Sequence, residues 1–140
     1  MKKLVLLMLF LGSIQLNAQT VLGKWKTIDD ATGQPKSIIE IYEKDGKIYG
    51  KIVELLNPAK RNSTCLKCTG EDKNKPILGL TIIKGLSKDD DEYNGGKILD
   101  PESGTLYKCI IKLNGKDKLE VRGYVGFSLI GRSQTWLRVK

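Results

Sequence analysis

Apolar and polar residues alternate with a period of two along much of the chain, which is the pattern of half-buried β-strands. The clearest example is segment 106–113, whose apolar face is formed by Tyr107, Cys109, Ile111 and Leu113, with lysines on the other face. No stretch long enough for a helix carries the apolar stripe of an amphipathic helix. The pattern therefore predicts an all-β protein.

Eight segments are predicted to be strands: residues 22–28, 37–44, 47–56, 79–86, 92–99, 105–113, 118–127 and 132–139. Most are joined by short turns, of which Asp45-Gly46 is a strong hairpin signal. Strands joined in this way are usually neighbours in the sheet, and closing the sheet removes its exposed edges. We therefore predict a single antiparallel up-and-down eight-stranded β-barrel, with a two-sheet sandwich as the alternative.

The first eighteen residues have the anatomy of a cleavable secretory signal. A pair of lysines precedes the apolar run 4–11, and the small residue Ala18 lies at the expected cleavage point. The run is shorter than the roughly 20 apolar residues that a transmembrane helix needs. We expect residues 1–18 to be removed, and residues 19–140 to form one domain that is exported to the periplasm or the extracellular space.

The formal net charge of the full chain is +8. Its basic residues are spread along the sequence and interleaved with Asp and Glu, and the longest basic cluster, around Lys60-Arg61, is brief. This distribution favours a solvated surface over a nucleic-acid interface. We therefore expect no nucleic-acid partner, and we expect no transmembrane segment because no later stretch is apolar enough to span a bilayer.

The three cysteines are Cys65, Cys68 and Cys109. In an oxidising compartment Cys65 and Cys68 are the natural disulfide pair, and their small loop contributes only about 2 kcal/mol. A redox-active pair would require a helix directly after the first cysteine, but the long connection 57–76 continues with polar residues and ends in proline. Zinc would require four ligands and the chain has no His, so we predict a structural disulfide, no metal and no cofactor.

The absence of His also removes the commonest general base. The carboxylate pair Asp29-Asp30 is explained by turn formation, since neighbouring turn residues point in different directions. The acidic run 89–92 lacks the spaced ligands of a calcium loop. We predict no catalytic residues and expect that the protein is not an enzyme.

The two ends of the predicted barrel carry a matching pair of motifs. Gly23-Lys24-Trp25 opens the first strand, and Trp136-Leu137-Arg138 closes the last one. In a closed barrel these strands pair, so Arg138 would lie on Trp25 in a cation–π contact worth about 0.5–2 kcal/mol. The arrangement resembles lipocalin and fatty-acid-binding-protein barrels, which share a Gly-x-Trp opening and a basic residue in the last strand. We expect Trp25 and Arg138 to close the barrel.

A second resemblance covers nearly the whole chain. Its motifs, in order, are Gly23–Asp30, Tyr49–Ile52, Cys65–Cys68, Gly96–Pro101, Arg122–Gly126 and Gly131–Trp136. Together they resemble the secreted bacterial domain-of-unknown-function family 2147. The resemblance implies a signal peptide and a lipocalin/calycin-like barrel, and it brings no established activity.

Architecture and compartment favour a protein that binds a small apolar or amphiphilic molecule in the barrel. The candidate ligand-binding residues are Trp25, Tyr49, Arg122 and Trp136, with Arg122 as the residue for an anionic head group. The alternative is a non-enzymatic cell-envelope interaction or scaffold protein, whose barrel is filled and whose long loop contacts a partner.

Overall fold

The described part of the chain, residues 20–127 and 130–140 of a computed structural model, forms a closed antiparallel β-barrel. The strands are β1 (Gly23–Ile28), β2 (Pro35–Lys44), β3 (Lys47–Leu55), β4 (Thr81–Asp89), β5 (Glu92–Leu99), β6 (Leu106–Leu113), β7 (Lys118–Tyr124) and β8 (Gly131–Arg138). Each strand pairs with the next one in the chain, and β8 pairs with β1. The predicted up-and-down barrel is confirmed, whereas the predicted signal peptide lies outside the described residues.

The hairpin turns follow the local chemistry that the sequence indicated. Asp45 and Gly46, between β2 and β3, both have positive φ, at 53° and 76°. This conformation matches the right-handed twist of the two flanking strands and suits Asp-Gly. The two-residue turn therefore sets the register of β2 and β3 from Lys44 and Lys47 up to the register shift between Ile38 and Ile39.

The barrel closes where Trp25 of β1 pairs with Arg138 of β8. The indole of Trp25 is fully buried, and the guanidinium carbon of Arg138 lies 4.2 Å from the ring centroid. The cation–π contact expected from the sequence is thus present. Gly23 lies next to it with φ +123°, and a Cβ there would come within 3.2 Å of Arg138 Nη1, so both the backbone and the space favour glycine.

Arg138 also satisfies three backbone carbonyl groups at this end. Its Nη1 donates to Leu22 O (3.1 Å), its Nη2 to Thr20 O (2.6 Å), and its Nε to Lys116 O (3.0 Å). The side chain therefore connects the segment before β1, the end of β8 and the β6–β7 turn.

The core fills the end of the barrel around Trp25. Its fully buried members with the largest side chains are Trp25, Ile39, Ile41, Ile83, Leu86, Ile111 and Leu119. Each fully buried aliphatic side chain contributes about 1.5–3 kcal/mol. The apolar face predicted for β6 points inward, because Cys109 and Ile111 are buried while Lys112 is exposed.

The long connection between β3 and β4, residues 56–80, is an ordered cover on the barrel. It contains two 3₁₀ turns, Pro58–Lys60 and Gly70–Asp72, and the predicted Cys65–Cys68 disulfide. Both half-cystines are buried. Asp72 forms ion pairs with Lys84 of β4 and, at 3.7 Å, with Lys75.

The cover also contacts the β5–β6 turn. Gly104 of this turn has φ +74°, and a side chain there would collide with the carbonyl group of Lys67.

Within residues 20–127 and 130–140, no helix reaches the length and hydrophobicity that crossing a bilayer requires.

Arg138→Ala should lower the free energy of unfolding by about 2–4 kcal/mol, because it removes the cation–π contact and leaves three carbonyl groups without their charged donor. Arg138→Lys should fall between the wild type and Arg138→Ala, because lysine lacks the planar fork. The matched control is Arg132→Ala on the same strand, whose exposed ion pair is worth about 0–1 kcal/mol. Urea unfolding measures all three variants, and equal effects of Arg138→Ala and Arg132→Ala would contradict the closure role.

Cys109 should be protected from alkylation in the native protein. Burial raises the pKa of its thiol from 9.0 to about 12, and the thiolate is the reactive form. At slightly alkaline pH the native thiolate fraction should be roughly 1000-fold below that of the unfolded chain. Mass spectrometry after iodoacetamide treatment, with and without denaturant, tests this, and comparable labelling rates would contradict it.

Candidate functional site

The end of the barrel opposite Trp25 encloses a cavity of about 620 Å³ that is open to solvent. It lies where the β1–β2, β5–β6 and β7–β8 connections meet. The apolar part of its wall is formed by Ile52, Ile82, Ile98, Val121 and Trp136. Among the described lining residues, none comes from the connection 56–80, so the cover does not form the cavity.

One wall of the cavity is a polar row on β8. Alternation turns Arg132, Gln134 and Trp136 to the same side of the strand, and all three line the cavity. Trp136 Nε1 donates to Gln134 Oε1 (3.1 Å), and Gln134 Nε2 donates to Asp30 Oδ2 (2.9 Å). Arg132 Nη2 lies 3.2 Å from the same Asp30 oxygen. A continuous network thus runs from the indole at the cavity floor to the rim.

The rest of the rim is charged, and its charged groups are held in place by the turns. Asp29 accepts hydrogen bonds from the backbone N–H groups of Thr32 (3.0 Å) and Ala31 (2.8 Å). These two bonds, the Thr32 bond first, hold the pKa of the Asp29 carboxyl below its ordinary value. Lys36 forms an ion pair with Glu102 across the mouth.

A second capping carboxylate completes the rim. Asp100 accepts from Glu102 N (2.9 Å) and from Ser103 Oγ (3.0 Å) in the β5–β6 turn. Asp29 and Asp100 therefore belong to turns and also face the cavity.

Two tyrosines, Tyr107 and Tyr124, also contribute to the cavity wall. Tyr107 shares the inward row of Cys109 on β6, whereas alternation gives the side chain of Tyr124 the same side of β7 as Arg122. Deeper in the wall, Thr27 Oγ1 and Ser37 Oγ are 2.7 Å apart and both residues are buried. The two hydroxyl groups of that pair are therefore hydrogen-bonded to each other.

The four residues predicted from the sequence to bind a ligand lie in different places. Trp136 lines the cavity, and Trp25 is buried in the closed end, below it. Tyr49 lies on the outer face of β3, where it stacks on Tyr42 with ring centroids 5.9 Å apart. Arg122 lies on the outer face of β7 and donates to Ser133 Oγ (3.1 Å). Neither Tyr49 nor Arg122 lines the cavity, contrary to the expectation that they face a ligand there.

The physical reason is strand alternation. Val121 points into the cavity, so its neighbour Arg122 points outward. On β3 a register shift places Ile52 opposite Ile39 and Glu54 opposite Ile38. The residue between Ile52 and Glu54 is an extra one and forms a β-bulge. Alternation counted across this bulge therefore places Tyr49 on the inner face of β3, although it lies on the outer face.

The sequence interpretation missed Tyr107, Gln134 and Asp30 as cavity residues. A signal existed for two of them: Tyr107 shares the inward row of Cys109, and Gln134 is two residues before Trp136. No comparable signal existed for Asp30, because its position depends on how the β1–β2 turn folds over the mouth.

Comparisons with known proteins agree with this architecture. The family model described as "Uncharacterized protein conserved in bacteria (DUF2147)" matches residues 23–138, so the chain belongs to that family. Among solved structures, protein HP1028 from Helicobacter pylori, described as belonging to the lipocalin family, is similar with a TM-score of 0.76 and 21% identity. The match covers 86% of this chain and 84% of that one, and it shows a lipocalin-like fold. A search of curated proteins finds no match.

Gln134→Leu should lower the free energy of unfolding by about 1–3 kcal/mol, because the indole N–H of Trp136 loses its acceptor and Asp30 loses one of its two partners, keeping Arg132. The matched control is Thr135→Val, which changes an exposed residue on the outer face of the same strand and should stay within about 0.5 kcal/mol of the wild type. Chemical unfolding followed by tryptophan fluorescence measures both. An unchanged stability of Gln134→Leu would show that the network is not coupled to the fold.

Proposed function

We propose that this member of the DUF2147 family binds one small amphiphilic molecule in the open end of its barrel. The observation that carries the proposal is the unequal filling of the barrel, whose closed end is packed around Trp25 while the other end keeps a cavity of about 620 Å³. Ligand pockets are commonly about 300–1,000 Å³, and an eight-stranded barrel is wide enough to hold one small ligand.

The distribution of polar groups supports an amphiphile rather than a purely apolar ligand. Ile52, Ile98 and Val121 offer an apolar surface inside, whereas Asp30 and Arg132 lie at the rim. A molecule with an apolar tail and a polar head group would match both regions. The tail would displace water from apolar surface, a gain of about 25 cal/mol for each Å² buried.

The same geometry favours binding over the two alternatives. A scaffold with a filled barrel would not need the cavity. Catalysis by carboxylates would need acids free to exchange protons, but Asp29 and Asp100 cap turns and Glu102 and Asp30 form ion pairs. We therefore propose a binding role.

The place of action remains part of the proposal. The first eighteen residues have the features of a secretory signal, and a structural disulfide suits an oxidising compartment. We accordingly propose that the mature protein binds its ligand outside the cytoplasm.

A chain-length series of uncharged n-alkanols tests the proposal by isothermal titration and thermal unfolding. The wild type should bind with saturation, and a ligand at about 100 times its Kd should stabilise the fold by about 2.7 kcal/mol. Val121→Phe, which fills the cavity, should weaken binding by about tenfold or more. Ile110→Phe, which introduces the same aromatic side chain on the outer face of β6, is the matched control and should bind like the wild type.

Native mass spectrometry of protein purified from an exporting host provides an independent measurement. A copurifying small molecule that is absent from Val121→Phe and present in Ile110→Phe would support the proposal. If no alkanol binds and nothing copurifies, the proposal is wrong.

A further inference from the structure

The mouth of the cavity carries a charge opposite to that of the whole chain. The full chain has a formal net charge of +8. The charged side chains that line the cavity are four carboxylates and two cations, a net charge of −2: Asp29, Asp30, Asp100, Glu102, Lys36 and Arg132. A cleft lined mainly by one sign of charge focuses its field on whatever enters.

Both cations at the mouth are already engaged with carboxylates. Lys36 is paired with Glu102, and Arg132 is paired with Asp30 at 3.2 Å. Within each of these two ion pairs, the positive and the negative charge cancel. The excess negative charge therefore belongs to Asp29 and Asp100, whose positions are fixed by their hydrogen bonds to the turns.

Asp30 and Gln134 offer hydrogen-bond acceptors to a ligand head group at the mouth of the cavity. Gln134 and Arg132 both use the Oδ2 atom of Asp30. Within the described residues, Asp30 Oδ1 has no hydrogen-bond partner, and Gln134 Oε1 receives one hydrogen bond, from Trp136. A carbonyl oxygen can accept two, so a donor on the ligand would find a site next to the apolar floor.

We infer that the cavity selects cationic or uncharged hydrogen-bond-donating head groups, such as amines and alcohols, over carboxylates, and that Asp30 is a specificity-determining residue. This inference rests on the proposed function and deepens it. It reverses the expectation from the sequence, in which Arg122 would bind an anionic head group. Most of the charged rim groups are partly exposed, so solvent screening limits the effect to a preference.

Three ligands with twelve carbon atoms each test the inference at neutral pH and below their solubility limits and micelle concentrations: dodecylamine, dodecanol and dodecanoate. At low salt, dodecylammonium should bind about tenfold more tightly than dodecanoate, with dodecanol between them. High salt should reduce this ratio because it screens the exposed charges. Isothermal titration gives the three values of Kd.

Asp30→Asn should reduce the ratio of the dodecanoate Kd to the dodecylammonium Kd from about tenfold to about threefold. The substitution removes one negative charge and releases Arg132 from its ion pair. The matched control is Asp91→Asn at the closed end of the barrel, where Asp91 pairs with Lys112 at 3.0 Å. This control should keep the wild-type ratio. A change of the fold alone would weaken all ligands together, whereas a role in specificity changes the ratio.

The outcomes separate this inference from the proposed function. If dodecanoate binds as tightly as dodecylammonium or more tightly, or if Asp30→Asn leaves the ratio unchanged, the inference is overturned while binding in the cavity stands. If none of the three ligands binds, the proposed function fails and the inference fails with it.

Discussion

The contact between Trp25 and Arg138 is the interaction on which the rest of the barrel depends. The described ladder between β1 and β8 consists of Trp25 with Arg138 and Lys26 with Leu137, whereas β7 is paired with β8 along its whole length. A short ladder supplies few backbone hydrogen bonds. The Arg138 side chain compensates by stacking on the indole and by donating to three backbone carbonyl groups, so one residue holds together segments that are far apart in sequence.

The two ends of the barrel differ in the side chains that fill them. In an up-and-down barrel, the β2–β3, β4–β5 and β6–β7 turns lie at the same end as the two ends of the strand sequence. Trp25 and Leu119 fill that end. Towards the other end β7 presents Val121 and then Gly123 to the interior. On β7, small side chains therefore leave space at this end of the barrel where large ones would have filled it.

The sequence predicted the architecture well because strands, tight turns and the paired end motifs are local signals. The main error was in the choice of ligand-binding residues. Alternation says which residues share a face, but it does not say which face is the interior. Tyr49 and Arg122 were placed by chemistry alone, and the bulge on β3 adds an irregularity that no local pattern shows. Asp30 reaches the network only because the β1–β2 turn folds over the mouth.

The inward faces of β7 and β8 can nevertheless be derived from one contact, that between Trp25 and Arg138. Once Arg138 is known to lie over the buried Trp25, alternation turns Trp136, two residues earlier, to the interior. Its cross-strand partner is Leu119, and residues directly opposite each other share a face. Arg122 is three residues beyond Leu119 and must point outward. The same closure that holds the barrel together thus fixes the inward faces of β7 and β8, and with them the polar wall of the cavity.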